Sequence, residues 1–316
     1  MEQQFIEWLK AKVGSDSRLD VGNGDDAAVL RPPAGRRTVF CTDMLVEGVH
    51  FPPAPDYDPF AVGQKAVGVN LSDVAAMAGR PEAAVASVTL PRQGGQQIAE
   101  RLLEGMLAMA SRFDVRLVGG DTTAWDGPLV VNVAVLGSVA PGTIWRRDAA
   151  RPGDLLLVTG GLGGSLRGRH LEVEPRVEEA RVLSSAFTIH AAIDISDGLA
   201  LDLSRMMEAS GCGAELMLDE IPIHADAVEA AADHPEHGDP LARALGDGED
   251  FELLMSMPEG QATQLLQAIA EGRLAGWPGT PLAVIGRVLA EPGLVAVAAD
   301  GSRSTLAAKG YLHEFS

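Results

Sequence analysis

ARPGDLLLVTGGLGG, residues 150–164, decides how the chain divides. Pro152 and Gly153 are a turn signal. Leu155, Leu156, Leu157 and Val158 then read as a short buried strand, and residues 159–164 as a glycine-rich turn leading into a helix-like stretch. A turn followed by a fresh strand marks a boundary, so the pattern predicts domains over residues 1–140 and 150–316. On the N-terminal side, strands are predicted at 38–41, 84–90, 115–118 and 129–139, and helices at 2–13, 59–77 and 96–113. On the C-terminal side, strands are predicted at 191–193, 213–218, 252–257, 282–288 and 294–298, with a helix over 199–209. Strands and helices alternate in both halves without a strict βαβ repeat. The expected class is α/β (α+β), in two mixed domains.

Composition limits what these domains can do. The chain has 316 residues, 46% of them hydrophobic, enough for two cores. No apolar run approaches the ~20 residues that span a bilayer. The opening MEQQFIEWLKAKVG reads as an amphipathic helix and lacks the apolar core of a signal peptide. Cys41 and Cys212 are the two cysteines, so no disulfide framework is implied, and cytoplasmic residence is the expectation. A formal charge of −19, with no Lys/Arg run longer than two, argues against nucleic acid or an anionic membrane as partner.

The acidic residues are placed with a pattern. GDD (24–26), TD (42–43), LSD (71–73), GGD (119–121) and DISD (194–197) each end a strand-like run or open a helix on a carboxylate. The chain has no HExxH and no GxSxG. Carboxylates that gather without matching bases bind hard divalent cations, typically Mg²⁺, which is shared with substrate phosphates. Small neighbours let a polyphosphate approach the backbone. Asp73 interrupts the apolar helix pattern KAVGVNLSDVAAMAG (65–79). Such a carboxylate is costly to bury unless it is paired or metal-bound; otherwise it must lie on an exposed helix face. In DISDGLALDL (194–203), Ser196 or Asp197 as a helix cap would aim an N-terminus at an anion, although an ordinary cap leaves the same trace. TGGLGGSLRG (159–168) matches neither a dinucleotide fingerprint nor a Walker A loop, and reads as a tight turn with phosphate proximity left open. Glu249 and Asp250, flanked by glycine, suggest a loop open to ligand, and His50 lies shortly after Asp43. The four tryptophans read as packing residues.

Together these segments resemble the thiamine-monophosphate kinases, of the superfamily that includes aminoimidazole ribonucleotide synthetase. The matching stretches are GDDAAVL, TDMLVEGVHF, KAVGVNLSDVAAMAG, LVGGDTT, RRDAARPGD, AIDISDGLALDL, GDGEDFELL and KGYLHEF, in order along nearly the whole chain. The resemblance implies ATP-dependent phosphorylation of thiamine monophosphate to thiamine diphosphate. It implies that Asp26, Thr42, Asp43, Asp73, Asp121, Asp194 and Asp197 hold several Mg²⁺ ions. Gly120, Asp121, Arg147 and Ser196 match ATP-contacting positions. His50, Glu249 and Tyr311 match positions near the thiamine substrate. It further implies two domains, the N-terminal one binding ATP and Mg²⁺ and contributing strands to a barrel shared with a second copy in a homodimer. Three departures stand out: Cys41 where Ser is common, Asp247 where Gly is frequent, and a short stretch between Gly168 and Arg181.

The acceptor of such a transfer is a phosphate oxygen, already ionised near pH 7. No general base or covalent nucleophile is then expected, and transfer is in-line without a phosphoenzyme. Among rival readings, selenophosphate synthesis would need a cysteine near the N-terminus, and residues 1–40 contain none. The hydrogenase-maturation dehydratase would need a C-terminal cysteine, and this chain ends HEFS. VEGVHF, GEDFEL and KGYLHEF favour the thiamine enzyme over the purine enzymes, and the full carboxylate set argues against a silent nucleotide sensor.

Overall fold

The structure is a computed structural model that describes residues 16–21, 27–31 and 33–312. The predicted helix over 2–13 lies outside the described residues. The chain forms two compact units, the first comprising residues up to 74 with 79–142 and 171–174, the second residues 75–78, 143–170 and 175 onward.

In the first unit, β1 (Leu19–Val21) and β2 (Val29–Leu30) form a small antiparallel ribbon. Four strands make the main sheet: β3 (Arg37–Val46), β4 (Arg80–Pro91), β5 (Arg116–Trp125) and β6 (Val130–Val139), in the order β3-β6-β4-β5. Only β4 and β5 run parallel. Among the described residues two helices, α1 (Pro59–Ala76) and α2 (Gly95–Arg112), accompany it. The fold follows from patterning. On β6, Val131, Val133 and Val135 are fully buried, while the residues between them are half-buried. That period of two puts one face of the sheet in the core. α1 is apolar nearly all round, as a buried helix must be. Pro59 opens it, and the Asp58 carboxylate accepts from Phe60 N at 2.9 Å.

Among the described residues nothing covers the other face of this sheet. Phe40 is 68% exposed, Met44 55% and Val85 40%. Among the described residues the sheet is open, with no closed barrel.

α1 and α2 touch backbone to backbone. A Cβ at Gly63 would lie 2.0 Å from Leu102 O, and one at Gly105 1.9 Å from Phe60 O. Two glycines therefore set the spacing of the helix pair. Gly105→Ala is expected to lower stability by roughly 3 kcal/mol, because neither side of the clash is a flexible side chain. Gly260→Ala, where an added Cβ meets nothing within 4 Å, is expected to be neutral or stabilising. Urea midpoints of the two variants check this.

The second unit is a seven-stranded sheet in the order β13-β12-β9-β11-β7-β10-β8. Its strands are β7 (Leu155–Thr159), β8 (Ala191–Asp194), β9 (Gly213–Met217), β10 (Leu253–Met257), β11 (Leu282–Leu289), β12 (Gly293–Val297) and β13 (Arg303–Thr305). All pairs are antiparallel except β12 with β9. The helices are α3 (Val177–Ala186), α4 (Leu199–Ser210), α5 (Ala225–Asp233), α6 (Pro240–Gly246) and α7 (Glu259–Ala270). β7 and β10 are mostly apolar, largely buried strands that lie side by side, Leu254 opposite Val158. The core gathers Leu156, Val158, Ile193, Ile195, Leu199, Leu203, Met206 and Leu254. The turn at residues 151–154 is held by Asp154, which accepts from Arg151 N at 3.0 Å and from His190 Nδ1 at 2.9 Å. Among the described residues no helix is long and apolar enough to cross a membrane.

Two boundaries differ from the sequence expectation in a way that bears on chemistry. Thr42 and Asp43 lie inside β3, not at its end, because Met44, Leu45 and Val46 carry the strand on. Gly119, Gly120 and Asp121 likewise lie inside β5, which runs to Trp125 alongside β4.

Candidate active site

In the first unit, strand alternation sorts the acidic residues by face. Cys41 and Asp43 point toward α1, where the Cys41 thiol donates to Asn70 O at 3.4 Å. Asp43 and Asp73 are hydrogen-bonded to each other through their carboxyl groups. Burial pushes Asp43 above the usual carboxylate range, and the bond from Asp73 only partly opposes it. Two carboxyls in contact cannot both be ionised cheaply, which disfavours the fully charged pair. Burial and the neighbouring charges of Asp73 and Asp43 also push the Cys41 thiol up, which leaves it an inert, uncharged neighbour. The buried Lys65 on α1 donates to His50 O at 2.6 Å, and His50 Nδ1 accepts from Val46 N at 3.0 Å. His50 is thereby fixed close after the strand that carries Asp43.

Thr42 and Asp121 belong to the opposite face. Thr42 donates to Val133 O and accepts from Asn132 Nδ2, both at 3.0 Å. The register puts Asp121 in one row with Ser87, Asn132 and Met44. The sheet therefore separates these two from the Asp43–Asp73 pair. Gly120 has a local reason: a Cβ there would lie 2.0 Å from Ala86 O. Asp26 lies outside the described residues.

In the second unit, the end of β8 carries Asp194 and runs through Ser196 and Asp197 into α4. The expected side-chain cap at Ser196 or Asp197 is not what forms. The residue before α4 is Gly198, which has no side chain to cap with. Instead Asp202, fully buried in the first turn of α4, accepts from Ser196 N at 3.1 Å and Asp197 N at 2.9 Å. Arg205 Nη1 bridges Asp197 and Asp202, reaching the latter at 2.7 Å.

Two more expected site residues join this loop through the backbone. Glu249 N donates to Ser196 O at 2.7 Å, and Tyr311 N to Asp197 O at 2.9 Å. Glu249 and Phe251 hold φ of +54° and +52°, a conformation costly for residues with a Cβ. Strain of order 1 kcal/mol or more at each marks the loop as positioned for a purpose. Arg147 is exposed and separate, its carbonyl accepting from Ser210 Oγ at 2.9 Å.

The glycine-rich turn is occupied by protein. Gly163 N donates to Asp250 at 2.9 Å and Gly164 N to Asp247 at 3.0 Å, so these N–H groups serve carboxylates of the 247–250 loop. Arg169 also reaches Asp250, at 2.8 Å. Burial nonetheless pushes Asp250 up to about 7, against the lowering by Gly163 and Arg169. A carboxyl that keeps its proton longer in the folded state favours folding at low pH. That contribution is complete below the unfolded carboxyl's pKa and is lost as pH rises through about 7. The urea midpoint is therefore expected to fall between pH 5 and 8, and Asp250→Asn to flatten that slope.

Asp202, Arg205, Lys65 and Arg169 were not singled out from sequence. The signal that marked Asp73, a charged residue inside an apolar helix pattern, applies equally to Lys65 in KAVGVNL and Asp202 in LALDL.

The family described as AIR synthase related protein, N-terminal domain, matches residues 24–139, and its C-terminal-domain counterpart matches residues 151–298. A thiamine-monophosphate kinase of Rhodopirellula baltica is 39% identical, covering 99% of this chain and 97% of that protein. The chain belongs to the thiamine-monophosphate kinase family. Solved structures of thiamine-monophosphate kinases agree. That from Stenotrophomonas maltophilia K279a superposes with a TM-score of 0.77 at 33% identity, covering 94% of this chain and 96% of that one. A structure described as AaThiL complexed with AMPPCP and TMP has a TM-score of 0.74 at 28% identity, covering 99% and 97%.

Proposed function

We propose that this chain transfers the γ-phosphoryl group of ATP to the phosphate of thiamine monophosphate, giving thiamine diphosphate. The observation that carries this reading is the hydrogen-bonded Asp43–Asp73 carboxyl pair on β3 and α1. A divalent cation would neutralise two carboxylates placed side by side, and it takes oxygen ligands, so the residues fit Mg²⁺. The solved relative with AMPPCP, a nucleotide whose β–γ bridge resists transfer, and TMP supports the donor and the acceptor.

Mg²⁺, when bound, supplies the charge neutralisation that lets two polyanions meet. Asp26, Thr42, Asp43, Asp73, Asp121, Asp194 and Asp197 are the proposed ligands. Thr42 and Asp121 lie on the sheet face opposite Asp43, so an ion they held would be separate from one held by the Asp43–Asp73 pair. Gly120, Asp121, Arg147 and Ser196 are the proposed ATP contacts. His50, Glu249 and Tyr311 are the proposed acceptor contacts; the strained backbone at Glu249 supports a loop shaped for ligand. The chain orients both phosphates and leaves proton transfer to no residue, since the acceptor oxygen is already ionised. Residues 1–140 are the proposed ATP- and Mg²⁺-binding and dimerisation domain, and the C-terminal α/β domain, residues 150–316, adds Asp194, Ser196 and Asp197. Two free cysteines and the acidic charge suit cytoplasmic residence.

The test is incubation with Mg-ATP and thiamine monophosphate, with thiamine diphosphate detected by chromatography. ATP binding without product would overturn the acceptor assignment.

We also propose a homodimer through the uncovered face of the first unit's sheet. Phe40, Met44 and Val85 there form an exposed apolar patch of the kind that marks an interface. Phe40→Glu is expected to shift the protein from dimer to monomer in sedimentation velocity at micromolar concentration. A monomeric unsubstituted chain would sink the idea.

A further inference from the structure

The connection between α5 and α6 carries the sequence His234-Pro235-Glu236-His237. It lies in a part of the second unit that the phosphoryl-transfer reading does not use. His234 Nδ1 lies 3.3 Å from Glu236 Oε1, and His237 Nε2 lies 4.0 Å from that same oxygen. One ligating atom from each of the three residues falls within 4.8 Å of the others. The two imidazoles are stacked, 5.7 Å between centroids and 27° between planes. All three side chains face solvent, so they are open to an ion.

The backbone beneath them is fixed. His234 N bonds to Ala230 O at 2.9 Å, His237 N to His234 O at 3.1 Å and Gly238 N to Pro235 O at 3.2 Å, forming one tight turn beyond the end of α5. The buried Arg243 of α6 donates to His234 O at 3.0 Å and Ala230 O at 3.1 Å. Donors on a turn tied down from both helices lose little freedom when they bind.

The spacing is that of a coordination sphere. Ligands about 2.0–2.1 Å from a tetrahedral ion lie about 3.3 Å from each other. One of the donor pairs already has that separation, and rotation of an exposed imidazole closes the rest. The donor chemistry is equally selective. Two imidazoles and one carboxylate suit a borderline transition ion, whereas Mg²⁺ takes oxygen. Three protein ligands leave a fourth position for water.

We propose that His234, Glu236 and His237 form a Zn²⁺ site, separate from the carboxylates assigned to Mg²⁺. The site lies on the connection that leads from the end of α5 to α6. These helices back the glycine-rich turn: a Cβ at Gly164 would lie 2.3 Å from Ala227 N on α5, and one at Gly163 2.6 Å from Ala244 N on α6. An ion on the connection therefore stiffens the support of the turn that holds Asp247 and Asp250.

The experiment is calorimetric titration of the full chain with ZnCl₂ in excess Mg²⁺, which keeps the carboxylate sites filled. One equivalent is expected to bind, and Co²⁺ at the same site is expected to give the intense visible bands of low-coordinate cobalt. His234→Gln/His237→Gln is expected to weaken Zn²⁺ by about tenfold or more, with Mg-ATP turnover unchanged. Asp43→Ala is expected to keep the Zn²⁺ equivalent. Unchanged Zn²⁺ binding in the double variant would overturn the proposal, as would no binding by the unsubstituted chain. Loss of the equivalent on Asp43→Ala would move the ion to the carboxylate centre and overturn it as well.

Discussion

Asp43→Ala is expected to lower thiamine diphosphate formation by about 1000-fold or more, while leaving the fold intact. The loss amounts to about 4 kcal/mol of transition-state stabilisation. The split between activity and stability follows from the burial of the carboxyl pair. Without a cation, Asp43 and Asp73 lie side by side in a half-buried position, at a cost in desolvation. Removing one carboxyl relieves that cost, so the metal-free variant should melt at or above the temperature of the unsubstituted protein. The Mg²⁺-dependent rise in melting temperature should shrink, because a ligand stabilises only through the state it binds. A variant that lost both activity and metal-free stability would show that Asp43 serves the fold instead.

The second large effect is expected at Asp202. Its buried carboxylate accepts two backbone N–H groups and pairs with Arg205. Alanine leaves both N–H groups without that acceptor and Arg205 without one of its two partners. A stability loss of about 3 kcal/mol follows. Activity should fall beyond what unfolding explains, measured at a temperature where the variant is folded. The reason is that the loop Asp202 anchors presents Asp194, Ser196 and Asp197, and its carbonyls receive Glu249 N and Tyr311 N. Asp202→Asn keeps one acceptor oxygen and should recover most of the stability. Urea denaturation and a KM–kcat comparison separate the two contributions. An alanine variant with full activity would remove Asp202 from its positioning role.

What could be read from the sequence was what local chemistry decides. The helix from Pro59 is announced by its proline and its apolar run, and the structure ends it at Ala76, one residue from expectation. The turn at residues 151–154 precedes β7 as its proline and glycine require. Strand ends were harder. An acidic residue in a strand reads as a terminus, yet Asp43 continues β3 because its side chain finds Asp73 on α1, a partner thirty residues away. The cap at α4 was misread for a related reason. Ser196 and Asp197 are good capping types, but Gly198 stands between them and the helix, and Asp202 reaches back in their place. Both errors concern a carboxylate whose partner is set by tertiary packing, which residue type alone does not encode.

The contact of Gly63 and Gly105 with the opposite helix backbone leaves α1 no freedom to slide or roll. It works as an index pin. Asp73 stands ten residues further along the same rigid rod, about 15 Å from the pin. Its alignment with Asp43 is thus gauged from a point with no chemistry of its own. A single added methyl at the pin would displace a carboxylate that it never touches.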